Sequence, residues 1–268
     1  MEQDSNDTVL FFEYEPTFVE MLEMLMEKRL YDTSAYTVEL EGLFHRLGYD
    51  KESRILDVAA GSGFPALNLV EHGYTIECSD GAEDQIELFH RRARERGVSL
   101  SCKQLYWNEL SQVYAPETYD AVLCRGNSFI FAVGGWNQDV PIDREVALRT
   151  YTETAKSFYD VLKPGGVLYL DKFKDDEVNH KEVVAKIRYG ENVTANIVFW
   201  TERDPIYKVR RATMLLQKED GSESGPLNIG YDLTAPELEC CLLNAGFSSV
   251  DRAMLPSETF FDIYLARK

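Results

Sequence analysis

Arg54-Ile-Leu-Asp-Val-Ala-Ala60 runs directly into Gly61-Ser-Gly63-Phe-Pro-Ala66. A short apolar run closes on an acidic residue, two glycines turn the chain, and a helical pattern takes over across Pro65–His72. Strand, tight turn and helix in that order are the first half of a βαβ unit. The backbone N–H groups of such a turn lie at a helix N-terminus, where they can approach a ligand closely. The same rhythm continues toward the C-terminus. Apolar runs near Tyr74–Ser79, Leu100–Leu105, Ala121–Arg125 and Val167–Asp171 alternate with helical patterns over Ala82–Glu95, Arg144–Leu162 and Pro236–Ala245. An α/β fold with a parallel sheet is what buries alternating elements of this kind.

The rhythm breaks between Ile187 and Asp232. Ala195–Thr201 and Tyr207–Gln217 read as antiparallel strands, joined around Asp204-Pro205 and ended by Glu219-Asp-Gly-Ser-Glu-Ser-Gly225. They form an inserted β-layer placed after the fifth strand. Closing strands Ser249–Leu255 and Phe260–Ala266 then complete the sheet. Ahead of Gly48, amphipathic helices are expected across Thr17–Leu30 and Tyr36–Leu47. The expected division is an N-terminal helical cap over 1–50, a core over 51–186, the β-layer as a lid over 187–232, and a return to the core over 233–268.

The chain of 268 residues is 44% hydrophobic and carries a formal net charge of -18. That balance argues against a nucleic-acid partner, since tracking a phosphate backbone needs clustered Lys and Arg. No stretch approaches the ~18 apolar residues of a membrane span. The start Met1-Glu-Gln-Asp-Ser-Asn-Asp7 is acidic where a signal peptide would be basic. A cytoplasmic protein with a small-molecule partner is expected, and homo-oligomer formation is left open. The five cysteines contain no C-x-x-C spacing, so free thiols are expected. Asp175-Asp-Glu177 with His180 reads as a solvated acidic loop, and no metal is expected, because hard cations need a shaped set of oxygens. His45, His72 and His90 fall on helical patterns as surface or packing residues.

The glycine turn admits two cofactors. Gly61-x-Gly63-x-x-Ala66 satisfies the dinucleotide fingerprint, so a nicotinamide dinucleotide and S-adenosylmethionine both fit the glycines. Asp57 argues against the dinucleotide. Standing at the strand end, its carboxylate would repel a pyrophosphate and attract the ammonium of a methionine moiety. Asp80, which ends the next strand, is placed to accept hydrogen bonds from ribose hydroxyls under either reading.

With Asp57-Val-Ala-Ala-Gly-Ser-Gly63, Asp80 and Leu162-Lys-Pro-Gly-Gly166 in that order, the chain resembles the class I S-adenosylmethionine-dependent methyltransferases. Ala59 stands where many of them have a glycine. Tyr119-Asp-Ala-Val-Leu-Cys-Arg-Gly-Asn-Ser-Phe129 is similar to the Cys-Leu-Gly-Asn-Ser-Phe segment of glycine and sarcosine N-methyltransferases. Tyr106-Trp107 falls where those enzymes have a Trp beside the adenine, and Phe261-Asp-Ile-Tyr-Leu-Ala-Arg-Lys268 closes the chain as theirs does.

The resemblance implies a Rossmann-like seven-stranded sheet with an antiparallel last strand, and a β-lid over the substrate. It also implies that Asn127 helps to bind the acceptor. The Arg with which those enzymes grip the acceptor carboxylate, two residues after the strand-five Asp, is Phe173 here. A phenyl ring cannot supply two parallel charge-assisted bonds. Lys172, Lys174, Arg125 or Arg210 would have to replace that clamp, or the acceptor lacks a carboxylate.

The expected cofactor site comprises Asp57, Ala59, Gly61, Gly63, Asp80, Gly81, Tyr106, Trp107, Cys124 and Arg125. The expected acceptor site comprises Asn127, Trp136 in the glycine-flexible loop after strand four, and Tyr207 as an apolar wall with a hydrogen-bonding tip. The function expected is N-methylation of an amine or amino acid. Methylation of an amino sugar or another small metabolite is the alternative, and a regulatory protein that binds the cofactor without turnover is a third reading.

Overall fold

The computed structural model describes residues 9–25, 32–136, 143–176, 179–190 and 193–268. The chain divides into two compact units, one built from Asp32–Val133, Asp143–Lys174 and Leu233–Lys268, the other from Met1–Tyr31, Gly134–Ile142 and Asp175–Asp232.

The first unit holds strands β1 Arg54–Asp57, β2 Thr75–Asp80, β3 Cys102–Gln104, β4 Tyr119–Cys124, β5 Leu162–Phe173, β6 Ser249–Ala253 and β7 Phe261–Arg267. They lie side by side in the order β6-β7-β5-β4-β1-β2-β3. From β5 to β3 every pairing is parallel, and β7 runs antiparallel to both of its neighbours. Ile55, Leu56, Val122, Leu123, Leu168 and Leu170 are all fully buried at 0% exposure, so the central strands are covered on both faces. That is why they read as continuous apolar runs instead of alternating ones.

The helices of this unit are α1 Thr33–Leu47, α2 Ala66–Glu71, α3 Glu83–Arg96, α4 Leu110–Val113, α5 Arg144–Val161 and α6 Ala235–Asn244. Their ends are written in the sequence. Asp32 accepts from Ala35 N at 3.0 Å and Asp143 from Val146 N at 2.9 Å, each satisfying an orphan donor of a first turn. Thr234 and Glu237 form a capping box on α6. From β1 the chain steps to β2 and β3 on one side, whereas β4 and β5 lie on the other. The strand order therefore reverses between β1 and β4, the place where open α/β sheets bind ligands.

The second unit is a sheet in the order Val9–Phe12, Asn179–Tyr189, Val193–Asp204, Val209–Lys218, Leu227–Tyr231, Gly134–Trp136, with the short strand Glu223–Ser224 paired to Val209–Lys218. This sheet differs from the expected β-layer, taking in Leu227–Tyr231 and, in place of the expected glycine-flexible loop, the edge strand Gly134–Trp136. It also begins near Asn179 instead of Ile187, because the strand Asn179–Tyr189 mixes charged residues among its apolar ones and buries only Ile187 and Tyr189. A strand that sheds the alternating apolar signal reads as loop.

Nor does the N-terminal stretch form one helical cap. Val9–Phe12 pairs in parallel with Asn179–Tyr189, and the helix Phe18–Leu25 belongs to this unit whereas α1 belongs to the other. Four residues carry too little pattern to announce a strand whose partner lies far along the chain. Finally, Tyr207 is not on a strand: it sits in the turn before Val209 and is 73% exposed. No described helix is long and apolar enough to cross a membrane.

Candidate functional site

The expected cofactor residues fall at the C-terminal ends of β1, β2, β3 and β4. Beyond Asp57 the chain turns through Gly61 at φ 51° and Gly63 at φ 114°. Gly63 is dictated sterically as well, since a Cβ there would stand 2.6 Å from Leu67 Cδ1. Asp80 staples the turn to β2: its Oδ2 accepts from Gly61 N at 2.8 Å and its Oδ1 from Ala82 N at 2.9 Å. Each oxygen retains a lone pair, so the carboxylate can still accept from a hydroxyl. Burial pushes the Asp80 carboxyl above its ordinary range, against the pull of those two N–H groups.

Asp57 is more deeply enclosed, 1% exposed. Its Oδ1 accepts from Ala59 N at 3.1 Å, while its Oδ2 is buried without a hydrogen-bond partner among the described residues. Burial raises the Asp57 carboxyl to about 7, opposed by the Ala59 N–H and by Arg125. A buried carboxylate oxygen left over at the strand end suits a ligand ammonium, the feature that separates the two cofactor readings of the turn.

The aromatic pair splits into two roles. Trp107 donates its indole N–H to Val58 O at 2.6 Å and packs edge-on against Phe158 at 5.6 Å. It thereby anchors the glycine turn to α5. Tyr106 is 59% exposed, and a Cβ on Gly81 would touch its ring at 3.1 Å. The aromatic face beside Asp80 and Gly81 is thus that of Tyr106. Cys124 is fully buried, and burial pushes its thiol well up.

The end of β4 meets the end of β5. Asn127 adopts φ 58°, donates its backbone N–H to Asp171 Oδ1 at 2.7 Å, and accepts from Phe173 N through its side-chain Oδ1 at 3.0 Å. Its carboxamide oxygen is therefore engaged in joining two strand ends. Asp171 is fully buried, its Oδ2 has no hydrogen-bond partner among the described residues, and burial raises it to about 7 against the opposing charge of Arg125.

Arg125 is itself buried at 4% exposure, donating Nε–H to Tyr36 Oη at 2.7 Å, and Tyr36 shares a 2.8 Å hydrogen bond with Tyr169. Asp171, Tyr36 and Tyr169 were not among the expected site residues. For Asp171 the signal was present: an acid closing an apolar strand, as at Asp57.

None of the expected carboxylate clamps lies ready. Phe173 is 7% exposed and packs against Phe261 with ring centres 5.0 Å apart. Lys172 donates to the Phe173 carbonyl and Lys174 to the Thr259 carbonyl. Arg210 belongs to the other unit, where it and Arg203 pair with the buried Asp232. Tyr207 is in that unit's exposed turn. Trp136 is also there, its backbone paired with Asn228 in the last strand of the sheet. His180 stands 3.3 Å from Glu182, and Glu177 lies outside the described residues.

Residues 49–220 match the family model of a methyltransferase domain. A glycine/sarcosine N-methyltransferase of Parasynechococcus marenigrum (strain WH8102) is 37% identical over 145 residues, 53% of this chain and 46% of that protein. Another, of Halorhodospira halochloris, is 33% identical over 126 residues, 47% of this chain and 42% of that protein. This chain thus spans about half the length of the relatives it matches. Among solved structures, a SAM-bound amino pentose methyltransferase from Micromonospora echinaspora shares the fold, with a TM-score of 0.64 at 18% identity over 95% of this chain and 99% of that one. A family match across most of the chain, on a seven-stranded sheet whose last strand runs antiparallel, establishes that this chain belongs to the methyltransferase-domain family of class I, S-adenosylmethionine-dependent enzymes.

Proposed function

We propose that this chain transfers the methyl group of S-adenosylmethionine to the nitrogen of a small amine or amino acid. The observation that carries the reading is Asp57, whose buried Oδ2 meets no partner among the described residues. An unmet buried carboxylate oxygen costs on the order of 1–3 kcal/mol or more, which the ammonium of a bound methionine moiety offsets. Asp80 serves the ribose hydroxyls, and Tyr106, exposed beside Gly81, serves the adenine face. The likeness to glycine/sarcosine N-methyltransferases supports nitrogen as the acceptor atom.

The cofactor supplies a methyl group already activated by its sulfonium. The protein's task is to desolvate the acceptor and hold its nitrogen in line, which needs no strong base when the amine is neutral. Asn127, at the junction of β4 and β5, is the acceptor-side candidate, its Nδ2 group being the half of the carboxamide not bonded to Phe173 N. Phe173 favours a second acceptor class, amines without a carboxylate such as amino sugars, because no guanidinium stands at that position. Incubation with methyl-labelled cofactor and a panel of amines, amino acids and amino sugars tests the proposal. Label transferred to nitrogen is the expected result, and label found only on oxygen acceptors or nowhere refutes it.

A further inference from the structure

We infer that Arg125, braced by Tyr36 between the strand-end carboxylates Asp57 and Asp171, is the positioning residue that keeps Asp57 ionised to receive the amino group of the cofactor. This deepens the proposed function and rests on it. Strand β4 lies between β1 and β5, with Leu123 level with Asp57 and Cys124 level with Leu170. The first residue past β4, Arg125, is thereby set between the two strands whose ends carry the acids.

Its guanidinium lies 4.2 Å from the Tyr36 ring centre and 5.3 Å from that of Phe64, with Nε bonded to Tyr36 Oη. Tyr36 is held in turn by Tyr169 on β5. A guanidinium stacked on two rings and tied through Nε is fixed in place, so it acts by its charge where it stands and not by reaching for an acceptor.

The charges around it call for such a cation. Asp57 is faced by the Ala59 N–H, by Arg125, by the like charges of Asp80 and Asp171, and by the thiols of Cys78, Cys102 and Cys124. Asp171 is faced by Arg125, by Glu258 from the loop before β7, by the N–H groups of Asn127 and Gly126, and by Tyr36 and Tyr169. Burial drives both carboxyls toward neutrality, and Arg125 is the cation that opposes it at both. A neutral Asp57 would present no charge to an ammonium. Arginine remains protonated throughout the range in which proteins fold, so it holds the carboxylate without titrating itself.

Calorimetric titration of S-adenosylhomocysteine, the demethylated cofactor, into the whole chain between pH 6 and pH 9 tests this without requiring turnover. Arg125→Met is expected to weaken binding at pH 7 by at least about tenfold relative to wild type, and the ratio should shrink toward one by pH 9 as Asp57 ionises unaided. Arg125→Lys, which restores a cation, should recover most of the pH 7 loss. Tyr36→Phe keeps the ring and removes only the hydroxyl that accepts from Arg125 Nε. It should move the profile the same way by less, and it provides the test if Arg125→Met fails to fold.

A loss in Arg125→Met that is the same at every pH, or no pH-dependent change in any variant, overturns the role given to Arg125. Wild-type protein that binds no S-adenosylhomocysteine at any pH overturns the proposed function, and the role of Arg125 with it.

Discussion

Gly63→Ala should destabilise the core unit far more than Gly61→Ala, although both glycines lie in one turn at positive φ. At Gly61, φ is 51° and a new Cβ would meet nothing closer than Gln85 Oε1 at 3.6 Å. Alanine there bears only the left-handed penalty, about 1–2 kcal/mol. At Gly63, φ is 114° and the Cβ would lie 2.6 Å from Leu67 Cδ1 and 3.3 Å from Phe89 Cδ2. Leu67 and Phe89 are both fully buried, so neither side chain can swing into solvent.

Backbone strain outside the left-handed well contributes about 1–3 kcal/mol and overpacking about 1–3 kcal/mol, or about 2–6 kcal/mol together. Urea denaturation of the two variants beside wild type measures both. A double-mutant cycle with Leu67→Ala isolates the clash, since Gly63→Ala should cost at least about 1 kcal/mol less once the leucine is truncated. Equal destabilisation at the two glycines, or strict additivity in the cycle, would refute the reasoning.

Asp80→Ala should weaken S-adenosylhomocysteine binding by about 1.5–3 kcal/mol through loss of charged hydrogen bonds while the protein still folds; unchanged affinity in calorimetry would mean that Asp80 serves only Gly61 N and Ala82 N. Asn127→Ala should lower kcat/KM by at least about tenfold, roughly 1.4 kcal/mol, with a much smaller effect on cofactor affinity. Equal loss of both would move Asn127 to the cofactor side. The Asp57 carboxyl rises from 3.8 to about 7 on folding, so between those values the folded state binds more protons than the unfolded one, and stability falls as pH rises through that window. Ligand-free Asp57→Asn should therefore lose less Tm than wild type between pH 5 and pH 8, and parallel pH profiles would contradict the burial of an ionisable Asp57. Tyr207→Ala should leave the unfolding free energy measured in urea within about 0.5 kcal/mol of wild type, since the ring is 73% exposed in a turn.

The core was open to reading because its signals are local. An apolar strand, an acid, two glycines and a helix start fall within a dozen consecutive residues, and their physics does not depend on anything distant. Helix ends were equally local: Asp32, Asp143 and the Thr234–Glu237 pair cap the helices they precede. The strands of β4 and β5 were found by the same token, each a continuous apolar run buried on both faces.

The second sheet was read only where strands carried a pattern of their own. Val9–Phe12 becomes a strand only by pairing with Lys186–Tyr189, far along the chain, and no window of sequence holds both, whereas Asn179–Tyr189 pairs mainly with the neighbouring Val193–Asp204 and lacks an apolar pattern of its own. The place of Tyr207 turned on where the hairpin closes: Asp204 and Val209 pair across the turn, two residues past the expected strand start.

By itself, the sequence determined the fold class, the glycine turn and the two strand-end acids Asp57 and Asp80, because spacing along a strand dictates where its end falls. Only the tertiary structure decided which side chains are already engaged. It gave Trp107 to the Val58 carbonyl, leaving Tyr106 as the open aromatic face, and it gave half of the Asn127 carboxamide to Phe173 N. It also set Arg125 in a buried network with Tyr36 instead of leaving it to reach for a substrate. Hydrogen-bond and charge partners are drawn from elements that meet only on folding, so the chemistry available to a residue is a property of its neighbours as much as of its type.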